Sequence, residues 1–169
     1  IRALEARFAE LLRHGVDNDV IADKVVHRAR ALLLQTDPSL LPATTVEELK
    51  RLFAVPFGAI RVWDVRPAYA GLACTETVSD DVKRLASSMQ APFCGSNVGF
   101  EAVRWMSADD SAVASLAMLP LRVGASPDAF GLLVLGSPDK DRFQITMGTA
   151  FLARIAELAS AALARLRGG

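Results

Sequence analysis

The sequence is poor in the residues on which most enzyme chemistry depends. Its 169 residues include only two cysteines and two histidines, and His14 and His27 lie thirteen residues apart on one predicted helix. That spacing suits neither a metal pair nor a base placed beside a nucleophile. Motifs of P-loop NTPases, serine hydrolases, zinc proteases and dithiol oxidoreductases are also missing. We therefore predict that the protein is not an enzyme and has no catalytic residues and no metal ligands.

The chain also lacks a net charge and any long apolar run. Lysine plus arginine and aspartate plus glutamate both number 19, so no net field attracts nucleic acid or anionic lipid. No apolar stretch reaches the length of a membrane-spanning helix, and no signal peptide is recognisable. We predict a cytoplasmic protein that binds neither nucleic acid nor membrane. Because the first residue is Ile1 and not methionine, we expect a further segment upstream.

Apolar residues are abundant, and they make up 51% of the chain. This composition excludes a disordered chain, and the length is sufficient for one domain with its own core. The mean hydropathy of +0.28 further indicates apolar surface that is buried against a partner.

The stretch from Ser115 to Gly136 predicts the centre of the fold. Two apolar runs, 114–123 and 130–135, flank a segment of turn-forming residues, which are Gly124, Ser126, Pro127 and Asp128. The pattern predicts a β-hairpin whose second strand is buried on both faces. Pro120 cannot donate a ladder hydrogen bond, so we expect its strand to lie at a sheet edge or to be bulged there.

Shorter elements are predicted before the hairpin. Two prolines predict a loop over 36–43, and a capping-box pattern that begins at Thr45 predicts a helix from there to Phe53. Antiparallel strands are expected over 57–65 and 71–76. Ser79 is placed to cap a helix over 80–90, whose inward face is Val82, Leu85, Ala86 and Met89. Turn-forming residues at 91–97 and a short helix that ends at Met106 predict an irregular crossover, a common ligand pocket.

Long helices are predicted at both ends of the chain. Residues 1–35 carry apolar residues at heptad spacing, which predicts one helix that needs a partner, although a break at 15–18 is an alternative. Residues 146–167 are apolar around most of a helix circumference, so this helix must be covered on two sides. We predict a parallel-helix homodimer with an interface formed by Leu4, Phe8, Leu11, Val25, Leu32, Ile155, Leu158 and Ala162.

This order of elements resembles a GAF domain, with an apolar strand into Pro120, the run 131–135 and Phe143 after a charged loop. The segments 91–95, 120–122, 131–137 and 141–154 are similar to the DUF484 family, proteobacterial GAF-like proteins of unknown function. The resemblance implies an α+β fold, a GAF/PAS-like antiparallel sheet flanked by helices, with long N- and C-terminal helices and a pocket roofed by the crossover. We therefore expect a coiled-coil-like dimerisation helix at 1–35 and a GAF-like domain at 36–169 that includes the C-terminal helix 146–167.

The resemblance does not identify a ligand, so any cofactor is unknown. The Asn-Lys-X-Asp pattern of cyclic-nucleotide-binding GAF domains is absent, and neither Cys74 nor Cys94 lies in the sequence context of a bilin attachment site. The free-methionine sulfoxide reductase branch of GAF domains relies on three cysteines, whereas this chain has only two. Family genes often lie near one for a tyrosine-type site-specific recombinase, which implies a protein partner.

Candidate ligand-binding residues lie in the crossover and the first hairpin strand. Cys94 could contact a ligand or sense redox state, although a small buried hydrophobe is a common role for a free cysteine. Arg104 could bind a carboxylate or phosphate, or it could be solvated while Trp105 fills the core. The residues predicted to bind a ligand are Cys94, Ser96, Asn97, Glu101, Arg104, Trp105 and Ser115.

These observations together predict a non-catalytic sensory or regulatory module. It would bind a small molecule and transmit its state through the dimer helices. A structural adaptor is the first alternative, with its pocket filled by its own side chains, including Phe93, Trp105 and Met118. A thiol-dependent enzyme that uses Cys94 is the second alternative.

Overall fold

A four-stranded antiparallel sheet forms the centre of the computed structural model, which describes residues 27, 30, 31, 34–144 and 150–167. The strands are β1 (Phe57–Val62), β2 (Phe93–Ser96), β3 (Ser115–Leu121) and β4 (Gly131–Ser137), in the spatial order β1-β4-β3-β2. The predicted hairpin is confirmed as β3 and β4, which pair from Ser115 with Ser137 to Leu121 with Gly131. Every residue of both strands is buried, as expected for the central strands of a sheet that is covered on both faces.

The expectation that the strand with Pro120 lies at a sheet edge or is bulged is met only locally, because β3 as a whole lies between β4 and β2. β2 is short and pairs with β3 only from Ser115 to Met118, so at Pro120 β3 has β4 as its single neighbour. The proline, which cannot donate a ladder hydrogen bond, thus lies where the strand is locally an edge.

Helices cover both faces of the sheet. The helices are α1 (Leu41–Phe53), α2 (Asp80–Ser88), α3 (Val103–Met106) and α4 (Ala150–Leu163). One face, which we call the helical face, is covered by α1 and α4, which pack on alternate strand residues such as Leu119 and Leu133. On the crossover face, α2 and α3 pack on the intervening residues, such as Met118 and Val134. This arrangement confirms the α+β class and the antiparallel sheet.

The predicted start of the first short helix is wrong. α1 begins at Leu41, after a 3-10 turn at Pro38–Leu40 that Asp37 caps by accepting from the Ser39 amide at 2.9 Å. Pro42 occupies the second helical position, where the missing N–H would have had no intrahelical partner. Thr45 therefore lies inside the helix, and its hydroxyl donates to the Leu41 carbonyl at 2.7 Å.

The expected strand at 71–76 is also wrong. Residues Ala73–Thr75 form a 3-10 turn, in which the Thr75 hydroxyl donates to the Leu72 carbonyl at 2.6 Å. A strand forms instead at Phe93–Ser96, within the segment expected to be irregular. Pairing with the buried strand β3 is a long-range contact that overrides the turn-forming residues of this segment.

The helix capped by Ser79 is confirmed. The Ser79 hydroxyl accepts a hydrogen bond from the Val82 amide at 3.2 Å, and α2 follows from Asp80. Val82 and Ala86 are buried in the crossover-face core, and Leu85 and Met89 pack against it. The inward face that the sequence predicted is therefore the observed one.

Much of the terminal helices lies outside the described residues. Residues 27, 30, 31 and 34 are helical, and α4 ends at Leu163 before a 3-10 turn at Ala164–Leu166. The helix expected at 1–35 and the first residues of the one expected at 146–167 are otherwise not described, nor are Leu4, Phe8, Leu11, Val25 and Leu32. Among the helices that are described, none has the length and apolarity needed to cross a membrane.

Candidate functional site

The chain's own side chains fill the space between the sheet and the crossover. Met118 and Trp63 are both buried there, and the Phe93 and Phe100 rings meet at a centroid distance of 5.4 Å and an angle of 65°. A Cβ atom added to Gly136 on β4 would lie 3.0 Å from Val113 and 3.1 Å from Met106. This contact shows how closely the crossover packs on the sheet. We call this group the crossover-face cluster; its buried members are Ala59, Trp63, Val78, Val82, Ala86, Ala102, Val103, Val113, Leu116, Met118, Ala129, Leu132 and Val134.

An open cleft lies beside this cluster, at the end of β1. Its volume is about 250 Å³. The end of β1, the segment after it and the first turn of α2 form its walls, and we call it the β1 cleft. Its lining residues are Val62, Trp63, Asp64, Val65, Ala70, Thr75, Glu76, Thr77, Val78 and Lys83.

One wall of the β1 cleft is a fixed aromatic ring. The Trp63 indole Nε1 donates to the Ala129 carbonyl at 2.9 Å, and the Trp63 amide donates to the Phe130 carbonyl at 2.8 Å. The next residue, Asp64, has a left-handed backbone with φ +60°. Aspartate tolerates this conformation better than most residues do, and it ends β1 with a sharp turn of the chain.

The charged groups of the β1 cleft differ in their partners. Glu76 accepts a hydrogen bond from Arg61 at 3.2 Å, and the Arg61 guanidinium lies 5.1 Å from the centre of the Trp105 ring. The side chains of Asp64 and Lys83 make no hydrogen bond or ion pair with any residue that the structure describes. The cleft therefore offers a carboxylate, an ammonium group and an apolar wall to a ligand.

Three of the predicted ligand-binding residues lie together at the paired ends of β2 and β3. Ser96 is exposed and lies opposite Ser115 in the register. Asn97 donates from its side chain to the Val113 carbonyl at 2.9 Å and accepts from the Gly99 amide at 3.0 Å. Ser115 is buried and donates to the Asp139 carbonyl at 2.7 Å. These contacts brace the turns at this end of the sheet.

The other crossover residues lie on α3 or just before it, and none of the seven predicted ligand-binding residues lines the β1 cleft. Glu101 accepts from the Ser79 hydroxyl at 3.1 Å, and Arg104 is exposed. Trp105 is half-buried and meets Arg61, which sequence reasoning missed. A cation inside an otherwise apolar strand was the available signal for Arg61. Asp64, Glu76 and Lys83 come from three separate segments and carried no such signal.

The structure places Cys94 on the helical face of the sheet, opposite to the crossover. Cys94 lies on the edge strand β2, whereas Cys74 packs beside β1, the other edge strand, and both thiols are free. Burial raises the pKa of each thiol, and the effect is partly offset for Cys94 by the positive charge of Arg142.

These buried thiols predict a loss of stability in alkali. Unfolded thiols deprotonate near their ordinary pKa of about 8.5, whereas the folded thiols hold their protons to higher pH. Their contribution to stability is therefore complete below about pH 8.5 and is lost as the pH rises toward the folded pKa. We expect the free energy of unfolding, measured with urea between pH 7 and 10, to fall more steeply in the wild type than in a Cys74→Ala/Cys94→Ala variant. Equal slopes would contradict this expectation.

Comparison with known proteins identifies the family and the fold. A family model described as "Protein of unknown function, DUF484" matches residues 1–167. The GAF domain of a proposed sensor histidine kinase from Pseudomonas syringae pv. tomato superposes with a TM-score of 0.59 and 18% identity, over 90% of each chain. No curated protein matches the chain.

Two further solved structures have the same architecture. The free methionine-R-sulfoxide reductase of Neisseria meningitidis, in complex with its substrate, superposes with a TM-score of 0.58 and 15% identity, over 86% of this chain and 89% of the reductase. The GAF domain of the potassium sensor histidine kinase KdpD from Escherichia coli gives a TM-score of 0.51 and 17% identity, over 86% and 94%. At these identities the likeness shows a shared GAF-like fold.

Proposed function

The chain belongs to the DUF484 family, and we propose that it is a non-catalytic regulatory module that binds a small molecule in the β1 cleft and transmits its state through the helices of a homodimer. The observation that carries this proposal is the presence of two charged side chains without partners among the described residues, Asp64 and Lys83, beside the fixed Trp63 ring. Half of the ten lining residues are apolar, and the polar and charged half can orient a ligand against the Trp63 wall.

The size and charge of the β1 cleft indicate the class of ligand. Its volume of about 250 Å³ lies below the range of about 300–1,000 Å³ that is usual for ligand pockets, so the ligand must be small. A small zwitterion fits best, because a cationic group would meet Asp64, an anionic group would meet Lys83 and a short apolar part would lie against Trp63. The Neisseria meningitidis reductase was solved with its substrate bound, so this fold is compatible with such a complex.

Both thiols support a non-catalytic role. A cysteine nucleophile reacts as the thiolate, whereas burial raises the pKa of Cys74 and Cys94 and keeps them protonated at neutral pH. Neither cysteine lines the β1 cleft. A thiol-dependent reaction is therefore the weakest of the three functions considered.

The proposed dimer uses the outer face of α4. Leu158 is 45% exposed and Ala162 is half-buried, so a second copy of the chain could cover both. Ile155, predicted at the same interface, is only 3% exposed and packs in the chain's own helical-face core. We propose Leu158 as the main α4 contact of the homodimer, together with residues of the chain before residue 27.

Native mass spectrometry and thermal unfolding with each of the twenty amino acids test this proposal. We expect a dimer mass, and we expect a bound zwitterion at a hundred times its dissociation constant to stabilise the protein by about 2.7 kcal/mol. Lys83→Ala and Asp64→Asn should abolish the stabilisation, whereas Lys140→Ala, in an exposed loop outside the cleft, should retain it. Leu158→Glu should shift the mass to the monomer. Stabilisation that survives in both cleft variants would refute the assignment of the site.

A structural adaptor is the second candidate, and the crossover-face cluster favours it. In this function the packed Trp63, Met118 and Phe93 side chains occupy the place of a ligand, and the surface binds a protein partner. A dimer without any bound small molecule, and without a thermal shift across the amino acids, would favour the adaptor over the regulatory module.

A further inference from the structure

Arg122 connects three elements of the fold. It follows β3 directly and ends the Pro-Leu-Arg segment at 120–122. Its guanidinium Nη2 donates to the Ala86 carbonyl at 3.1 Å and to the Ser87 carbonyl at 2.7 Å, both in the last turn of α2. Its backbone N–H donates to the Ser160 hydroxyl of α4 at 3.1 Å.

The bond to Ser87 satisfies a carbonyl that has no other donor among the described residues, whereas the Ala86 carbonyl also accepts from the Met89 amide at 3.3 Å. The last carbonyls of a helix have no intrahelical donor, and a cation at this end interacts favourably with the helix dipole. The Ser87 hydroxyl also accepts from the Ala129 amide at 3.0 Å, just before β4. Ser160 is buried, so its bond to Arg122 is shielded from water. The C-terminal end of α2 is thereby tied to the hairpin, and the hairpin is tied to α4.

The opposite end of α2 forms part of the β1 cleft. Lys83, in the first turns of the helix, and Val78, just before it, both line the cleft. α2 has nine residues and is therefore a rod about 13 Å long. A displacement at its cleft end consequently reaches the carbonyls that Arg122 binds.

We propose that Arg122 is the positioning residue that couples the β1 cleft to α4. Movement of α2 changes the geometry at the Ala86 and Ser87 carbonyls, and Arg122 transmits the change to Ser160 through its own backbone. This inference rests on the proposed function for the identity of the signal. The coupling itself is a property of the protein without ligand, so the two are tested separately.

Arg142 provides a matched control. Its Nε and Nη2 atoms donate to the Phe53 carbonyl at 3.1 and 2.7 Å, in the last residue of α1. It therefore caps a helix as Arg122 does, but it makes no hydrogen bond to α4 among the described residues. Loss of Arg142 should affect stability without affecting the link between α2 and α4.

Amide hydrogen exchange of the full chain tests the coupling. Ser79→Ala removes the cap of α2 at the cleft end. Exchange at residues 158–163 of α4 is measured relative to Leu133 in the central strand β4, which reports global unfolding. Ser79→Ala is introduced into the wild type, into Arg142→Gln and into Arg122→Gln. We expect it to raise the ratio of the exchange rate in α4 to that of Leu133 at least about fivefold in the first two backgrounds, but less than about twofold in Arg122→Gln.

A second variant keeps the test decisive if Arg122→Gln does not fold. Because coupling is reciprocal, Ser160→Ala should raise exchange at Val82–Ala86 by a similar factor relative to Leu133. Arg122→Lys retains the charge but not the forked donors, so it should give an intermediate ratio. The coupling would be overturned if Ser79→Ala raised the relative exchange rate of α4 equally in the wild type and in Arg122→Gln. It would also be overturned if neither Ser79→Ala nor Ser160→Ala raised the relative exchange rate in the other helix. The ligand screen with Lys83→Ala reports on the proposed function independently of this result.

Discussion

Replacing Trp63 by alanine is expected to lower the free energy of unfolding by about 3–5 kcal/mol. The Trp63 side chain is only 9% exposed, and it is the largest member of the crossover-face cluster. Its removal leaves a cavity and also leaves the Ala129 carbonyl without the indole donor at 2.9 Å. Urea unfolding of the variant and the wild type measures the difference.

Two controls separate the volume of the Trp63 ring from its hydrogen bond. Trp63→Phe keeps most of the volume and loses the donor, so it should lower the free energy of unfolding by about 1–3 kcal/mol. Added indole should restore part of the thermal stability of Trp63→Ala, because an apolar cavity binds apolar rings. A loss below about 1 kcal/mol in Trp63→Ala would show that the ring is not part of the core, against the typical cost of 3–5 kcal/mol.

Replacing Gly131 by valine is expected to lower the free energy of unfolding by about 3 kcal/mol or more. A Cβ at this position would lie 2.8 Å from the Arg61 carbonyl oxygen and 2.9 Å from a Leu121 methyl. The Arg61 oxygen belongs to the backbone of β1, which pairs with β4 at Gly131, so it cannot move without disturbing the sheet. Overpacking of a buried site therefore adds to the distortion of the ladder.

Gly71→Ala is the matched control for this change. A Cβ at Gly71 would meet nothing within 4 Å. The free energy of unfolding of this variant should therefore differ from that of the wild type by less than about 0.5 kcal/mol. Urea unfolding measures both variants under the same conditions. Wild-type stability in Gly131→Val would contradict the register that places Gly131 opposite Val62.

Trp63 lines the β1 cleft, and Gly131 lies next to the cleft in the sheet, where it pairs with Val62 of the lining. The shape of the cleft thus depends on the packing of the sheet, whereas the binding that we propose depends on Asp64 and Lys83. Variants at the charged positions should therefore change binding with little effect on stability.

The elements that the sequence predicted correctly have local causes. The hairpin follows from two apolar runs around turn-forming residues, and α2 follows from the Ser79 cap and the inward positions Val82 and Ala86. The expectation for Pro120 rests on the chemistry of a single residue. Each of these signals lies within a few residues of the structure that it determines.

The strands that the sequence predicted wrongly depend on distant partners. Residues 93–96 become a strand because β3 is available to pair with them, whereas 71–76 has no such neighbour in the sheet. Pro42 was interpreted as a loop residue, but the second position of a helix accepts proline. Strand pairing is settled by the tertiary fold, because local propensity is only a weak preference.

The candidate site shows the same division. The amino-acid sequence by itself determined the α+β class, the central hairpin, the α2 cap and the resemblance to the family. Only the tertiary structure decided which charges meet in the β1 cleft, because Asp64, Glu76 and Lys83 come from separate segments. It also decided that Cys94 lies on the helical face, because its partner in the register is Ala117. A shift of the register by one residue would turn the Cys94 side chain to the crossover face. Side-chain direction in a strand depends on register, and register is a property of two strands together.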